Sequence, residues 1–455
     1  MKKFFTLFAI AAMMIGMVAC TNDDDDNAYR TYAVTLQLIA PEQISDADMS
    51  NIEVTALGST GTSLMAVTDE NGVVKFELPL DRYTFTASKT LADNGIAYTA
   101  NYAMKVTITA QDFTSQNVMT LQIAAAVSKG SQQLMIKEFY FGGCPKDDGS
   151  GPYYFDKYVV IYNNSPVEAR IANFGLGMCN PANAHTTNYN VDSSGSLVYA
   201  NEDYTPSWQG VVYLPKDFVL APYASTTIVL NGAINHTTTY SNSVDLSNAD
   251  YVFYHVDGFD RAMHTSYHPT PSETIPTDNY FKIAFVAQGN SWAVSNNSPA
   301  FFIFSSGDTD IYEYGMNPEN TFYCPGKTGN KIYACIKIKN EWILDAVEVW
   351  QADKLDKSKE RFTPTVNTGY VTFTNAQGYS IYRNVDKAAT EALAENAGKL
   401  VYNYSLGTDS NGTASTDPSN IDAEASMAKG AHIIFQDTNN SGNDFHQRAK
   451  ASLKQ

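Results

Sequence analysis

Thr68-Asp69-Glu70-Asn71-Gly72-Val73-Val74-Lys75-Phe76-Glu77-Leu78-Pro79-Leu80-Asp81-Arg82-Tyr83-Thr84-Phe85 is the stretch that sets the class of the fold. Asp69-Glu70-Asn71-Gly72 predicts a hairpin turn, because Asn-Gly accepts the positive φ values that a tight turn demands. Around it, apolar and polar residues alternate along Tyr32-Ala33-Val34-Thr35-Leu36-Gln37-Leu38, Ile52-Glu53-Val54-Thr55-Ala56-Leu57 and Val106-Thr107-Ile108-Thr109. A period of two puts successive side chains on opposite faces, so these runs predict strands with one face buried. Residues 29–127 therefore read as a small antiparallel β domain, joined by a polar link at Ser128 to Ser131 to a larger region, so that the second domain is 128–455.

The larger region continues the pattern. Leu134 to Tyr140 and Tyr158 to Asn164 predict strands on either side of a Gly/Pro/Asp loop from Gly142 to Pro152. Further runs follow at Tyr280–Val286, Ala300–Phe304, Lys331–Lys339 and Gly369–Phe373. One short helix is expected at Asp386–Asn396, rich in Ala, Leu and Glu and ended by Gly398. Asn403–Ala423, dense in Ser, Thr, Asn, Asp and Gly, predicts an exposed loop. No repeat of fixed period is evident, which weighs against a solenoid or propeller. The expectation is an all-β chain with few short helices.

The N-terminus addresses location. Lys2 and Lys3, an apolar run from Phe4 to Val18, and Ala19-Cys20 describe a lipoprotein signal peptide over residues 1–19. Its apolar core is too short for an ordinary membrane span. Acyl chains on Cys20 would hold the protein on a membrane, each buried methylene contributing roughly 0.8 kcal/mol. Asp23 to Asp26 make residues 20–28 an acidic tether that stays extended by self-repulsion. Losing the leader removes two lysines and no acid, taking the formal charge from −18 to −20. Such a balance excludes nucleic acid as an expected partner, since phosphate binding needs clustered Lys and Arg.

Four cysteines lie beyond Cys20: Cys144, Cys179, Cys324 and Cys335. An even count in an exported chain makes them candidate disulfide cysteines, with three pairings open and buried free thiols as the alternative. None forms a Cys-x-x-Cys pair, which argues against a zinc ribbon. The densest metal-capable set is His255, Asp257, Asp260, His264 and His268. His264 and His268 would share one face of a helix, yet Thr265 stands where a His-Glu-x-x-His protease has its glutamate, and Gly258, Pro269 and Pro271 disfavour a helix. His255, His264 and His268 are kept as candidate metal ligands beside the plainer reading of a polar loop. Asp437-Thr438-Asn439-Asn440-Ser441-Gly442-Asn443 has the early pattern of a calcium loop, but Arg448 replaces the closing Glu, so turns held by Asx hydrogen bonds are expected. Neither a Gly-x-Ser-x-Gly elbow nor a phosphate loop is present. No cofactor is expected. Rings near loops, among them Tyr153, Tyr154, Trp208, Tyr251, Phe253, Tyr254 and Tyr267, could grip a ligand, although most such rings in β proteins serve packing.

Several resemblances add to this. Thr68–Phe85 resembles the prealbumin-like, carboxypeptidase-regulatory-type sandwich, which implies a spacer or accessory domain without catalysis. Leu134–Tyr140, Tyr158–Asn164, Ile171–Gly175, Val211–Pro215 and Leu220–Leu230 resemble the opening of a lamin-tail-like, immunoglobulin-like domain. The aspartate run resembles the export signal of surface lipoproteins in Bacteroidota. From about Leu134 onward the chain resembles a family of Bacteroidota lipoproteins catalogued as domain of unknown function 4876, most clearly in Ile421–His432 and Gln436–Phe445. That resemblance implies no reaction and no catalytic residues, but company with outer-membrane receptors for scarce nutrients, iron or haem included. The expected function is a non-catalytic lipoprotein of the outer membrane, displayed on the cell surface as a ligand-binding or accessory subunit of an uptake system with a receptor or transporter as partner. The alternatives are a structural adhesin or glycan-binding surface protein and, further off, a hydrolase.

Overall fold

The computed structural model describes residues 30–41, 47–93, 96–113, 118–129, 133–166, 168–255, 264–410 and 413–454. The leader (1–19), Cys20 with the acidic tether (20–28), Asp257 and Asp260 lie outside the described residues. The chain is all-β, with short helices only at turns and connections.

The N-terminal unit is a sandwich of two sheets. One has the strand order Val73–Leu78, Tyr32–Ile39, Val118–Ala124; the other Ser63–Val67, Glu53–Gly58, Arg82–Asp93, Ile96–Thr107, Ala126–Lys129. Its core follows the alternation: Val34, Leu36 and Leu38 from one sheet meet Val54, Ala56, Tyr83 and Phe85 from the other. Two expectations need correction. Tyr32–Ile39 and Val118–Ala124 run parallel, so the unit is not wholly antiparallel. The turn at Asp69–Gly72 forms, with Gly72 at φ +73 and Asp69 Oδ1 accepting from Asn71 N and Val73 N, but it is not a hairpin. The strands it joins belong to different sheets, because buried Thr68 is tied to Met49 O and Ile52 N while Gly72 O takes Leu38 N.

Among the described residues of the larger region, twelve strands form one sheet in the order Val371–Phe373, Ile343–Gln351, Ala300–Ser305, Phe174–Met178, Gly210–Tyr213, Tyr280–Phe285, Tyr251–Phe253, Ser225–Val229, Tyr158–Asn163, Leu134–Tyr140, Ser380–Arg383, Phe445–Arg448. The sheet curls until its ends lie side by side, where Thr374 N donates to Gln447 Oε1 at 2.5 Å and Ile136 N to Asp345 Oδ2 at 2.6 Å. The enclosed core includes Phe139, Phe141, Phe174, Phe281, Phe301, Val347, Phe373 and Phe445. A three-stranded sheet of Tyr204–Trp208, Ala334–Lys339 and Thr321–Tyr323 covers part of the outer face, burying Phe302 and Phe304 against Ile336 and Ile338. Ala300–Phe304 is an unbroken apolar run because both its faces are covered. Gly175 and Gly177 leave room for those rings: a Cβ there would stand 2.5 Å from Phe304 and 2.2 Å from Phe302.

The expected helix is shorter than its sequence span. It covers Lys387–Ala392, capped by Asp386, and passes through extended Leu393 into a 3₁₀ turn at Ala394–Asn396, with Gly398 at φ +74 beyond. Buried Asn396 accounts for the break, since its amide donates to Thr390 O and His432 O rather than continuing the helix. The segment 403–423 is less exposed than predicted. It carries a small hairpin of Thr408–Ser410 and Thr413–Ser415, and buried Asp417 accepts from Val385 N.

Candidate ligand-binding cleft

Three neighbouring strands of the curled sheet end at one cleft of 460 Å³. The alternation of Tyr280–Phe285 turns Phe281 and Ile283 into the core and leaves Tyr280 and Lys282 on the outer face. The parallel register of Val252 with Tyr280 and Phe253 with Phe281 brings Tyr254 beside Lys282, and the antiparallel strand adds Tyr213 opposite Lys282. The Tyr254 and Tyr280 rings meet edge to face, centroids 5.8 Å apart. The rim comes from the 3₁₀ turn Thr277–Asn279 and from exposed Lys216, whose Nζ donates to Asn279 Oδ1 at 2.7 Å. Asn279 in turn donates to Asp250 O, which fixes the turn against the next strand. The cleft thus presents two ammonium groups, two phenol rings, a carboxylate at Asp278 and a hydroxyl at Thr277. Its volume falls within the roughly 300–1,000 Å³ of small-molecule sites.

The candidate metal ligands are not brought together. His264 and His268 do share a turn, with His268 N donating to His264 O, but their rings part. His264 is exposed and accepts from Ser266 N, whereas His268 is buried with Nε2 3.1 Å from Trp292 O. Burial pushes His268 down to about 4 and keeps it neutral. His255 Nδ1 accepts from Ile283 N in the sheet. Among the described residues no three His, Cys, Asp or Glu side chains converge as a metal would require. A four-residue spacing fixes the turn, but neighbouring packing decides which ring faces inward.

The expectation of disulfides is corrected as well. Cys144, Cys179, Cys324 and Cys335 are all free and buried. Cys144 Sγ lies 3.8 Å from Asp156 Oδ2, Cys324 accepts from the Asn180 amide, and Cys335 points to Tyr333 O, its thiol raised by burial and then by the nearby Cys324 and Cys179. A core of this size does not depend on covalent staples. Burial, then the Asp156 charge, pushes the Cys144 thiol up to about 12, so it is no activated nucleophile.

At the start of the strand Tyr158–Asn163 lies a buried polar layer that the sequence reading missed. Asp156 Oδ2 accepts from Tyr140 and Ser243, and burial raises its carboxyl. Lys157 is fully buried, donates to Val294 O, and is pushed down to about 7 by burial against the opposing pull of Asp156. His236 sits between the Tyr153 hydroxyl and Gly232 O. Asn231 links Lys157 O to His268, while Asn231 Oδ1, His268 Nδ1 and Trp292 Nε1 have no hydrogen-bond partner among the described residues. The only signal was a charged Asp-Lys pair placed directly before the apolar strand Tyr158–Asn163.

A second, smaller groove of 320 Å³ runs past Asn384, Gln436, Asn443 and His446. Its polar groups are largely engaged with one another. His446 holds Asn384 Oδ1 and the Tyr404 hydroxyl, and burial pushes it down to about 3. The loop resembling a calcium site is a set of Asx turns, as predicted: Asn440 Oδ1 caps Ser441–Asp444, and the Asp444 carboxylate accepts from Thr438 N and Asn440 N.

The sequence profile of the family described as "Protein of unknown function (DUF4876)" matches residues 221–417. That span includes Tyr254 and Thr277–Lys282 but stops short of Ile421–Phe445, the run that carries the resemblance most clearly by eye. No curated protein matches the chain. The crystal structure of a DUF4876 family protein from Bacteroides thetaiotaomicron VPI-5482 superposes with a TM-score of 0.50 at 20% identity, covering 91% of this chain and 94% of that one. A DUF3823 family protein from Bacteroides ovatus ATCC 8483 matches at 10% identity over 42% of this chain and 98% of its own, with a TM-score of 0.14 that carries no structural argument. The chain is therefore similar to the DUF4876 family in sequence over residues 221–417 and, to a solved member of it, in fold over most of its length.

Proposed function

We propose that the protein is a non-catalytic lipoprotein of the outer membrane, anchored through Cys20 and displayed on the cell surface, where it binds a ligand as an accessory subunit of an uptake system. The observation that carries this reading is the Lys216/Tyr254/Tyr280/Lys282 cleft, whose lining is recognition chemistry: rings, charged groups and a hydroxyl gathered at the ends of three neighbouring central strands. The leader ending at Cys20 supports the anchor, and the acidic tether supports a folded part held away from the lipid. The prealbumin-like reading of the N-terminal sandwich fits a spacer in that arrangement.

The anchoring half is tested by Cys20→Ala, which should abolish incorporation of labelled fatty acid and release the protein from membranes. The accessory half is tested by affinity capture from solubilised membranes, where a transport barrel should copurify. Recovery of the protein alone, with turnover of a glycan or peptide panel by the purified chain, would replace the proposal with an enzyme.

A further inference from the structure

We propose that the outer strand of the N-terminal sandwich, Ser63–Val67, pairs with the same strand of a second copy of the chain, so that two five-stranded sheets join into one across a two-fold axis at Met65.

The backbone gives the first reason. Ser63–Val67 lies at one side of its sheet and has a single neighbour, Glu53–Gly58. Thr68 N donates to Ile52 O at 3.0 Å and Gly58 N to Thr62 O at 2.7 Å, which fixes the phase of the ladder. Thr62, Leu64, Ala66 and Thr68 therefore turn their N–H and C=O toward that neighbour, while Ser63, Met65 and Val67 turn theirs toward the open edge. Among the described residues none bonds to the outward backbone groups of those three. The side chains are open as well. Met65 is 66% and Val67 59% exposed, with Leu57 and Leu64 exposed beside them.

Edge strands are ordinarily blunted by a charge, a proline or a bulge. Ser63-Leu64-Met65-Ala66-Val67 has none of these, and its register with Glu53–Gly58 is unbroken. The outer strands of the facing sheet differ: Val73–Leu78 exposes Lys75 and Glu77, and Val118–Ala124 exposes Thr120 and Gln122. Open backbone groups select an extended strand as occupant, and this strand matches itself. In an antiparallel pair centred on Met65, the two copies of Met65 exchange both their bonds, and Ser63 exchanges both of its own with the second copy's Val67, so each outward N–H and C=O finds a partner. On the outer face Met65 meets Met65, and Val67 comes beside the second copy's Ser63 and Leu57, since Ser63 stands opposite Leu57 in the register. Charge permits the contact. A net charge of −18 on each chain opposes association in general, but the strand itself carries no charge, and Glu53 stands on the side of Val67 away from the axis. Two-fold pairing through one patch on both copies is also the commonest symmetry of soluble assemblies.

The test is cross-linking of the purified full-length protein carrying Cys20→Ala, in which the remaining cysteines are the four buried thiols. Met65→Cys would sit at the axis, where the Cα atoms of a bonded antiparallel pair are about 5.5 Å apart and a disulfide can form, so mild oxidation should give a covalent dimer. Thr55→Cys, opposite Met65 one strand further in, would lie about 14 Å from its mate and should stay monomeric. Sedimentation should show a monomer–dimer equilibrium that tightens in about 0.5 M NaCl, because salt screens the repulsion between two negative chains. Met65→Lys, at an exposed side chain, should weaken the dimer at least tenfold and leave the melting temperature unchanged. Cross-linking through both introduced cysteines or through neither would overturn the proposal, as would a dimer that survives Met65→Lys.

Discussion

Arg361 and Glu348 are both fully buried, and replacing the arginine with methionine should be among the most damaging single changes in the larger region. Arg361 Nε and Nη2 donate to Glu348 Oε1 at 3.0 and 2.6 Å, its Nη1 donates to Pro181 O and Ala182 O at 2.8 and 3.1 Å, and its own N–H meets Glu348 Oε2 at 3.1 Å. Arg361→Met strands a carboxylate in the core, for which about 3–5 kcal/mol of destabilisation is typical. Against a whole-domain stability of about 5–15 kcal/mol, that is a large fraction. The pair Arg361→Met with Glu348→Leu should recover much of the loss, because no charge then remains unpaired. Urea titration followed by tryptophan fluorescence suits the measurement, since Trp350 donates to Glu348 Oε1 and stacks on Tyr370 at 3.7 Å. Burial already raises the Glu348 carboxyl, and Arg361 opposes that rise. Without the arginine its folded-state pKa climbs further above the unfolded value, so the folded state binds the extra proton and stability falls as pH rises through that window. The single variant should therefore be hurt less at pH 5 than at pH 8. A loss under 1 kcal/mol, or single effects that simply add in the double variant, would refute the reasoning.

Lys157 is pushed down to about 7 in the fold, so between pH 7 and 10 the unfolded chain holds a proton that the folded one lacks, and stability should rise with pH by up to about 1.4 kcal/mol per unit. Lys157→Met should flatten that rise in urea melts, and an unchanged slope would show that the buried amine is not its source. Gly177→Ala drives a methyl into the Phe302 ring and should cost about 1–3 kcal/mol, partly relieved by Phe302→Leu; a neutral Gly177→Ala would mean the ring is free to move aside. Alkylation after unfolding without reductant should label Cys144, Cys179, Cys324 and Cys335 alike, and any pair protected until reduction would contradict the buried thiols.

What the sequence disclosed and what it withheld divide along the range of the interactions. Alternation along Tyr32–Ile39 reveals a half-buried strand, and the run Ala300–Phe304 reveals a strand covered on both faces, since each pattern is local. The turn at Asp69–Gly72 is equally local, yet its role as a crossing between sheets depends on Leu38, thirty-four residues earlier, and no window around the turn contains that partner. The same holds for the cleft. Tyr254 stood out as a ring near a loop, but Lys216, Asp278, Tyr280 and Lys282 become one site only through the register of three strands. The histidine spacing misled for a related reason: Phe253 and Trp292 enclose His268 and leave His264 outside, a choice that neither histidine encodes. Buried Arg361, Arg383 and Lys157 were invisible because composition predicts charged residues at the surface.

The seam at which the curled sheet meets itself has a kinetic meaning. Leu134–Tyr140 gains one neighbour early, from Tyr158–Asn163, but its other edge waits for Ser380–Arg383, which in turn carries Phe445–Arg448. Glu138, in the middle of that first strand, is satisfied by the Ser380 hydroxyl and by Ser452. A chain threaded in order thus exposes an unpaired strand edge that is apolar except at Lys137 and Glu138, with its buried-type carboxylate unsatisfied, through most of its length. Contacts so distant in sequence slow folding, and open edges of this kind invite pairing between chains. Any cell that makes this protein must keep the half-emerged chain from its neighbours until residue 452 can close the seam.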